Sequence, residues 1–133
     1  VSVVKHNYIP KSQTKFLDQK QTVYEKKNWS SLMLFNNEQC QQLTKEAVNE
    51  KSGMYLHQFE WAESVGEIPV SYNHLVGEYE PNPFAKIVHF TLGTPCFKKY
   101  EHCEFGNEWR EEQYKIMKYN SYGEYSTEPK AAE

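Results

Sequence analysis

A chain of 133 residues, 25% charged and 38% hydrophobic, has the size and balance of one ordinary globular domain, able to bury about two-thirds of its extended surface on folding. The net charge of -3 removes the electrostatic case for nucleic acid, and no apolar run approaches the roughly 18 residues that a membrane span requires. Cys40, Cys96 and Cys103 form no C-x-x-C pair, so they read as free thiols of a reducing compartment, here the cytoplasm, rather than as a disulfide framework.

In chain order, residues 1–4 (VSVV) are β-branched and apolar and predict a buried strand. Residues 5–27 are polar without a clean period and predict a loop or an edge hairpin, long for a compact domain. Residues 31–35 (SLMLF) predict the next strand, and Asn36 and Asn37 open a short helical piece toward Leu43. Thr44 is placed to N-cap a helix running through Asn49, with Glu46 near the positive end of its dipole and Gly53 as its stop. Residues 55–62 predict a short amphipathic helix whose apolar members are Leu56, Phe59 and Trp61.

Gly66, Pro69 and Asn73 punctuate a turn-rich stretch, and Pro81-Asn82-Pro83 marks another loop. Residues 85–97 (AKIVHFTLGTPCF) then predict a buried strand that delivers His89 and breaks at Gly93 and Pro95. Phe105, Trp109, Ile116 and Met117 fall on one face of a closing helix, where Glu111 and Lys115 are spaced as an i,i+4 pair. The sequence turns polar at Asn120, so residues 120–133 predict a disordered tail after a folded part of 1–119. Strands separated by short helices predict an α/β arrangement. The chain opens directly in a strand, with no initiator Met and no polar lead-in, which predicts a piece of something longer.

Several groups of residues could carry chemistry. A neutral imidazole at a strand end, His89, is competent to bind a divalent metal, or else is a core histidine bonded to backbone. His89, Cys96, His102 and Cys103 have zinc-ligating side chains, but their spacing matches no common zinc pattern. Glu78 and Glu80, alternate residues of GEYEP, would point the same way on an extended segment and hold a cation, or form a solvated acidic loop. His57 and Gln58 offer a donor and acceptor pair for sugar hydroxyls, and Asn28, Trp29, Ser30 and Ser31 offer a stacking face and small hydroxyls just before a strand.

Taken together, the segments KNWSSLMLFNN, LHQFEW, GEIPVSYNHLVG and AKIVHFTLGTPCF resemble, in that order, the C-terminal half of the GT-A glycosyltransferases that include glycogenin and the bacterial galactosyltransferases of lipooligosaccharide synthesis. The resemblance covers about Val1 to Trp109. It implies part of a GT-A fold and transfer of a hexose from a nucleoside diphosphate sugar to a glycan or other acceptor, assisted by Mn2+ (or Mg2+). Carried over by position, His89 matches the metal-binding histidine and Gly93 the glycine whose backbone approaches the diphosphate. Asn28, Ser31 and Asn73 match donor- and acceptor-site positions, and His57 and Gln58 lie near the pair that contacts the transferred sugar.

This sequence departs from the pattern at several points. The interval from His89 to Gly93 is one residue longer than usual. Thr94 stands where the family has a lysine, so Lys98 or Lys99 would have to replace it. The helix pair reads His-Gln rather than Asp-Gln. The metal-binding D-x-D motif is absent, which implies that the isolated chain is inactive or nearly so. The competing class is a complete, non-enzymatic, aromatic-rich module that binds carbohydrate or protein, and it predicts a tryptophan open in a groove.

Overall fold

The computed structural model describes residues 1–16 and 18–123, with side chains placed to Tyr119. The fold is mixed α/β, with short strands and helices joined by long irregular segments. The chain forms two compact units, Val1–Leu92 and Gly93–Glu133.

In the first unit, strand β1 (Ser2–Val3) is central to a small mixed sheet. It pairs antiparallel with β4 (Met33–Leu34), Val3 opposite Met33, and parallel with β5 (Gly66–Glu67), Val3 opposite Glu67. Val3 is fully buried and seeds the core with Phe59 and Trp61. Trp29, Leu43, Tyr55, Leu56 and Val65 pack around that centre. This is the expected outcome for a β-branched residue on the innermost strand. The edge strand β4 is different: Leu34 is 65% exposed, and Met33 and the following Phe35 are also exposed. Leu32, Met33, Leu34, Ile68 and Tyr72 line an apolar groove of about 340 Å³ beside it.

The polar stretch after β1 contains an antiparallel hairpin, β2 (Thr14–Lys15) with β3 (Gln19–Lys20). The backbone N–H of Phe16 donates to the Leu92 carbonyl at 2.6 Å, tying the hairpin to the segment that follows His89. Phe16, Asp18, Lys26 and Asn28 all take left-handed φ values of 52–63°. Outside glycine such values are uncommon and cost energy, and they gather where tertiary contacts impose them.

Helix α1 (Lys45–Glu50) starts as its sequence dictates: the Thr44 hydroxyl accepts from the Ala47 N–H at 3.1 Å. Gly53 does not stop it. The chain turns extended at Lys51, Ser52 caps a new helix through the Tyr55 N–H, and Gly53 opens α2 (Gly53–His57). The predicted helix over residues 55–62 therefore ends at His57, because Phe59 takes φ 59° and turns its ring into the core.

Parallel strands β6 (His74–Leu75) and β7 (Val88–His89) pair Leu75 with His89. The run over residues 85–97 is strand only at β7, half-buried rather than buried, and it ends on His89 well before Gly93. In the second unit, α3 spans Gly106–Gly123. It includes residues assigned to the tail, while residues 124–133 lie outside the described chain. Trp109, Ile116 and Met117 share one face of α3, and Lys115 pairs with Glu112, one turn position nearer than the predicted Glu111. No described helix is long and apolar enough to cross a membrane.

Gly93 is held by sterics as well as by its dihedral. A Cβ there would lie 2.3 Å from the Tyr100 ring, at a φ of 156°. Gly93→Ala is expected to cost about 2 kcal/mol or more, because an aromatic ring must move. A urea midpoint equal to that of the unsubstituted chain would refute this.

Candidate functional site

A polar cluster lies beside the apolar core of the first unit, and His6 is its hub. Its Nδ1 and the Tyr79 hydroxyl are 2.7 Å apart, and its Nε2 faces the Asn73 amide nitrogen at 3.0 Å. With that N–H donor on Nε2, the ring proton sits on Nδ1 and is donated to Tyr79. Asn73, only 2% exposed, also donates to the Ser31 hydroxyl at 2.7 Å, and Ser31 in turn donates to the Asn28 carbonyl at 2.6 Å. The Asn28 amide donates to the Tyr8 hydroxyl at 2.7 Å and to the Thr91 hydroxyl at 3.2 Å. The Trp29 indole N–H closes the set by donating to the His6 carbonyl at 2.8 Å.

The left-handed backbone of Asn28 makes this arrangement available. It turns the side chain toward Tyr8 and Thr91 while the next residues form a 3-10 turn, Trp29–Ser31. Asn tolerates that conformation better than most residues. Asn73 ends another 3-10 turn, Val70–Tyr72, just before β6, and β7 brings His89 alongside Leu75.

His89 is half-buried. Its Nδ1 is buried and has no hydrogen-bond partner among the described residues. Burial, and then the nearby Lys15 ammonium, push its pKa down. Burial, and then His89, lower that of His6 to about 4. Both rings are therefore neutral near pH 7, the form that accepts a hydrogen bond or binds a cation. Burial and then the Glu78 charge raise the pKa of Tyr8 and Tyr79, so both keep their protons.

These shifts set a pH dependence. An unfolded histidine takes up a proton near pH 6.5, whereas folded His6 resists until about pH 4. The unfolded state binds more protons between those values. Stability is therefore present in full above about pH 6.5 and is lost as pH falls through about 4. We expect a loss of about 2 kcal/mol across this window, after allowance for solvent screening, measured by urea unfolding at pH 7.5 and pH 4. His6→Gln should flatten the curve by close to one proton; an unchanged slope would contradict the assignment.

Asn28, Ser31, Asn73 and His89, singled out in the sequence, thus fall on or beside one cluster. The others do not join it. His57 is exposed, with its Nδ1 2.6 Å from the Ser30 hydroxyl, on an apolar cavity of about 270 Å³ shared with Leu43, Leu56 and Trp61. The Gln58 backbone ends α2, and its carbonyl accepts from Lys26 Nζ at 2.6 Å. Gly93 and Lys98 belong to the second compact unit, where Lys98 opens a 3-10 turn.

Sequence reasoning passed over His6, Tyr8, Tyr79 and Thr91. A histidine and a tyrosine two apart after a strand, His6 and Tyr8, were the one local signal for them. The expectation for Glu78 and Glu80 is corrected. The chain turns after Gly77 (φ 80°) instead of running extended, so the two carboxylates separate. Buried Glu78 accepts from the Lys11 N–H and the Gln21 amide, while exposed Glu80 pairs with Lys11 Nζ. Both are committed to protein donors rather than to a cation.

What these residues offer a divalent metal is one nitrogen, His89 Nδ1. Among the described residues no group of three or more His, Cys, Asp or Glu side chains could hold a metal ion. The zinc set of His89, Cys96, His102 and Cys103 does not form one: exposed His102 lies against Glu101, and Cys96 Sγ against the Thr94 hydroxyl. Two tryptophans border cavities, Trp61 that of about 270 Å³ and Trp109 one of about 210 Å³ along α3. Trp61 is 3% exposed, and Trp29 and Trp109 are half-buried.

The chain is similar to a protein of Arabidopsis thaliana named Protein CDI, with 39% identity over 129 residues, covering 90% of this chain and 50% of that protein. The chain thus spans about half the length of the curated relative it matches. No protein-family model matches it, and no solved structure matches it.

Proposed function

We propose that this chain is part of a cytoplasmic glycosyltransferase of GT-A type, moving a hexose from a nucleoside diphosphate sugar to a glycan or other acceptor with Mn2+ or Mg2+. One observation carries the reading. Asn28, Ser31, Asn73 and His89, drawn from segments far apart in sequence, gather around one neutral, partly buried polar cluster. The exposed apolar strip at Met33, Leu34 and Phe35 also fits a chain that packs against further polypeptide, as does coverage of half the relative.

In this reading His89 offers Nδ1 as one ligand, and the carboxylate ligands come from sequence outside this chain. The cation, when bound, neutralises the diphosphate that leaves. Asn28, Ser31 and Asn73, bonded to one another and to His6, Tyr8 and Thr91, would fix the loops that line the sugar site, which lowers the entropic part of the barrier. Tyr8 and Tyr79 remain protonated and serve as hydrogen-bond donors to oxygen. His57, at the edge of the apolar cavity next to Ser30, and Gln58 after it take the acceptor side.

The test is Mn2+-dependent release of nucleoside diphosphate from a panel of nucleotide hexoses. It is made on the longest chain that carries these residues, on residues 1–133 alone, and on each with His89→Ala. Turnover by the longer chain that requires His89, with little or none by residues 1–133, supports the reading. Full turnover by residues 1–133, or turnover indifferent to His89, defeats it.

A further inference from the structure

We infer that the cavity beside Ser30 and His57 is a binding site for an uncharged alcohol with an apolar body of about ten carbons, and that this alcohol is the acceptor of the hexose. The acceptor role rests on the transferase reading; the cavity and its ligand class do not.

The cavity measures about 270 Å³, close to twice the roughly 150 Å³ that receives one benzene ring. Trp61, 3% exposed, is its most deeply buried lining residue. Leu43, Val48 and Leu56 supply apolar walls from the loop before α1, from α1 and from α2. The walls are held in place. The Trp61 indole N–H donates to the Leu56 carbonyl at 3.2 Å, and Lys26 Nζ donates to the Gln58 carbonyl at 2.6 Å, where α2 ends beside His57.

No Asp, Glu, Lys or Arg lines this cavity. Its polar side chains are Ser30 and His57, with Oγ and Nδ1 2.6 Å apart. When Ser30 donates to Nδ1, its oxygen still accepts; when Nδ1 carries the proton and donates to Ser30, the serine hydroxyl is free to donate. A ligand hydroxyl, donor and acceptor at once, suits either state. One hydroxyl is what the cavity can satisfy. A free sugar would press its remaining hydroxyls unpaired against Leu43, Val48 and Leu56, and a carboxylate or ammonium would lose its hydration with no counter-charge.

The cavity also lies one residue from the polar cluster. In the 3-10 turn Trp29–Ser31, Ser31 bonds to Asn73 and to the Asn28 carbonyl, while Ser30 bonds to His57. A hydroxyl held at Ser30 is thus delivered to the side of the cluster proposed for the sugar. In the transfer its oxygen bonds to the anomeric carbon, and the bond from that carbon to the diphosphate breaks, its electron pair leaving on the diphosphate. The hydroxyl proton passes to the Ser30–His57 pair and from it to water.

The experiment titrates the 133-residue chain with 2-naphthylmethanol, with its deoxy analogue 2-methylnaphthalene and with glucose, followed by NMR of the Trp61 indole N–H and by calorimetry. The alcohol is expected to bind about fivefold more tightly than the deoxy analogue, the worth of one hydrogen bond, and glucose not to bind. Val48→Trp, which fills the cavity from an exposed position, should weaken both aromatic probes by about tenfold or more. Asn49→Trp, next on α1 and outside the cavity, should bind normally. The double variant Ser30→Ala, His57→Phe should bring the alcohol down to the affinity of its deoxy analogue. Circular dichroism melts establish that each variant is folded. No binding of the alcohol by the parent chain, equal affinity of the parent for alcohol and deoxy analogue, equally tight binding of glucose, or unchanged binding by Val48→Trp would each overturn the site. A chain that binds the alcohol as expected, while the longer protein turns over no nucleotide hexose, keeps the cavity and loses the transferase. A longer protein that glycosylates glycans but never the bound 2-naphthylmethanol keeps the transferase and overturns the alcohol as its acceptor.

Discussion

Trp61→Ala is expected to remove about 3–5 kcal/mol of stability, a large share of the roughly 5–15 kcal/mol that holds a domain folded. The indole is 3% exposed. It lies against Phe59 at a centroid distance of 5.9 Å, and stacks on Phe35 at 6.1 Å with planes 15° apart. Its N–H donates to the Leu56 carbonyl at 3.2 Å. Alanine forfeits the burial, leaves a cavity beside Val3 and loses the indole hydrogen bond. Trp61→Phe keeps most of the burial and should cost about 1 kcal/mol for the lost hydrogen bond, plus a smaller packing term. Urea unfolding at pH 7.5, followed by circular dichroism, separates the two. A Trp61→Ala midpoint within error of the parent would mean that the core of the first unit is not built on this residue.

If the proposed transferase reading holds, His89→Ala is expected to lower Mn2+-dependent turnover of a longer chain carrying these residues by 100-fold or more, on the order of 3 kcal/mol of transition-state stabilisation. The ring presents its buried Nδ1 to no described hydrogen-bonding group, so its removal leaves few protein partners unsatisfied. The fold should survive: the melting temperature is expected to shift little at pH 7.5, while the apparent Mn2+ affinity falls with kcat. A variant that unfolds, with Mn2+ affinity per folded molecule unchanged, would mark His89 as a structural histidine and withdraw it from the chemistry.

The two variants differ in kind because the first unit separates its jobs. Apolar packing sits on Val3, Phe59 and Trp61, whereas the His6 network holds polar groups in fixed positions. Such a network is costly to leave half-satisfied. His6, Asn73 and Ser31 each depend on a neighbour to remain bonded, and protonation of His6 would displace the Asn73 donor from Nε2. The acid sensitivity of the fold and the positioning of Asn28, Ser31 and Asn73 thus have one origin.

The features legible in the sequence were those set by neighbours a few residues away. The Thr44 cap, the placement of β1 and β4, the helix carrying Trp109 and Ile116, and a strand ending on His89 all follow from local chemistry: a hydroxyl before a helix, β-branched residues, a 3.6-residue period, a Gly and Pro break. Where local rules were extended too far they failed. Gly53 was read as a stop, but Ser52 could cap a new helix. The sequence allows Glu78 and Glu80 either a facing pair or a solvated acidic loop, but the turn at Gly77 gives no extended pair, and Glu78 is buried.

By itself, then, the sequence determined a mixed α/β chain, its short capped helices, and a histidine at a strand end. Only the tertiary structure decided that His6 stands at the centre and that Tyr79 and Asn73 occupy its two nitrogens. The reason is distance along the chain: His6 meets Tyr79 across 73 residues and Asn73 across 67, and Asn28 meets Thr91 across 63. No periodicity or cap signals such a meeting; it arises when the pairing of β1 with β4 and β5, and of β6 with β7, brings remote loops to one place.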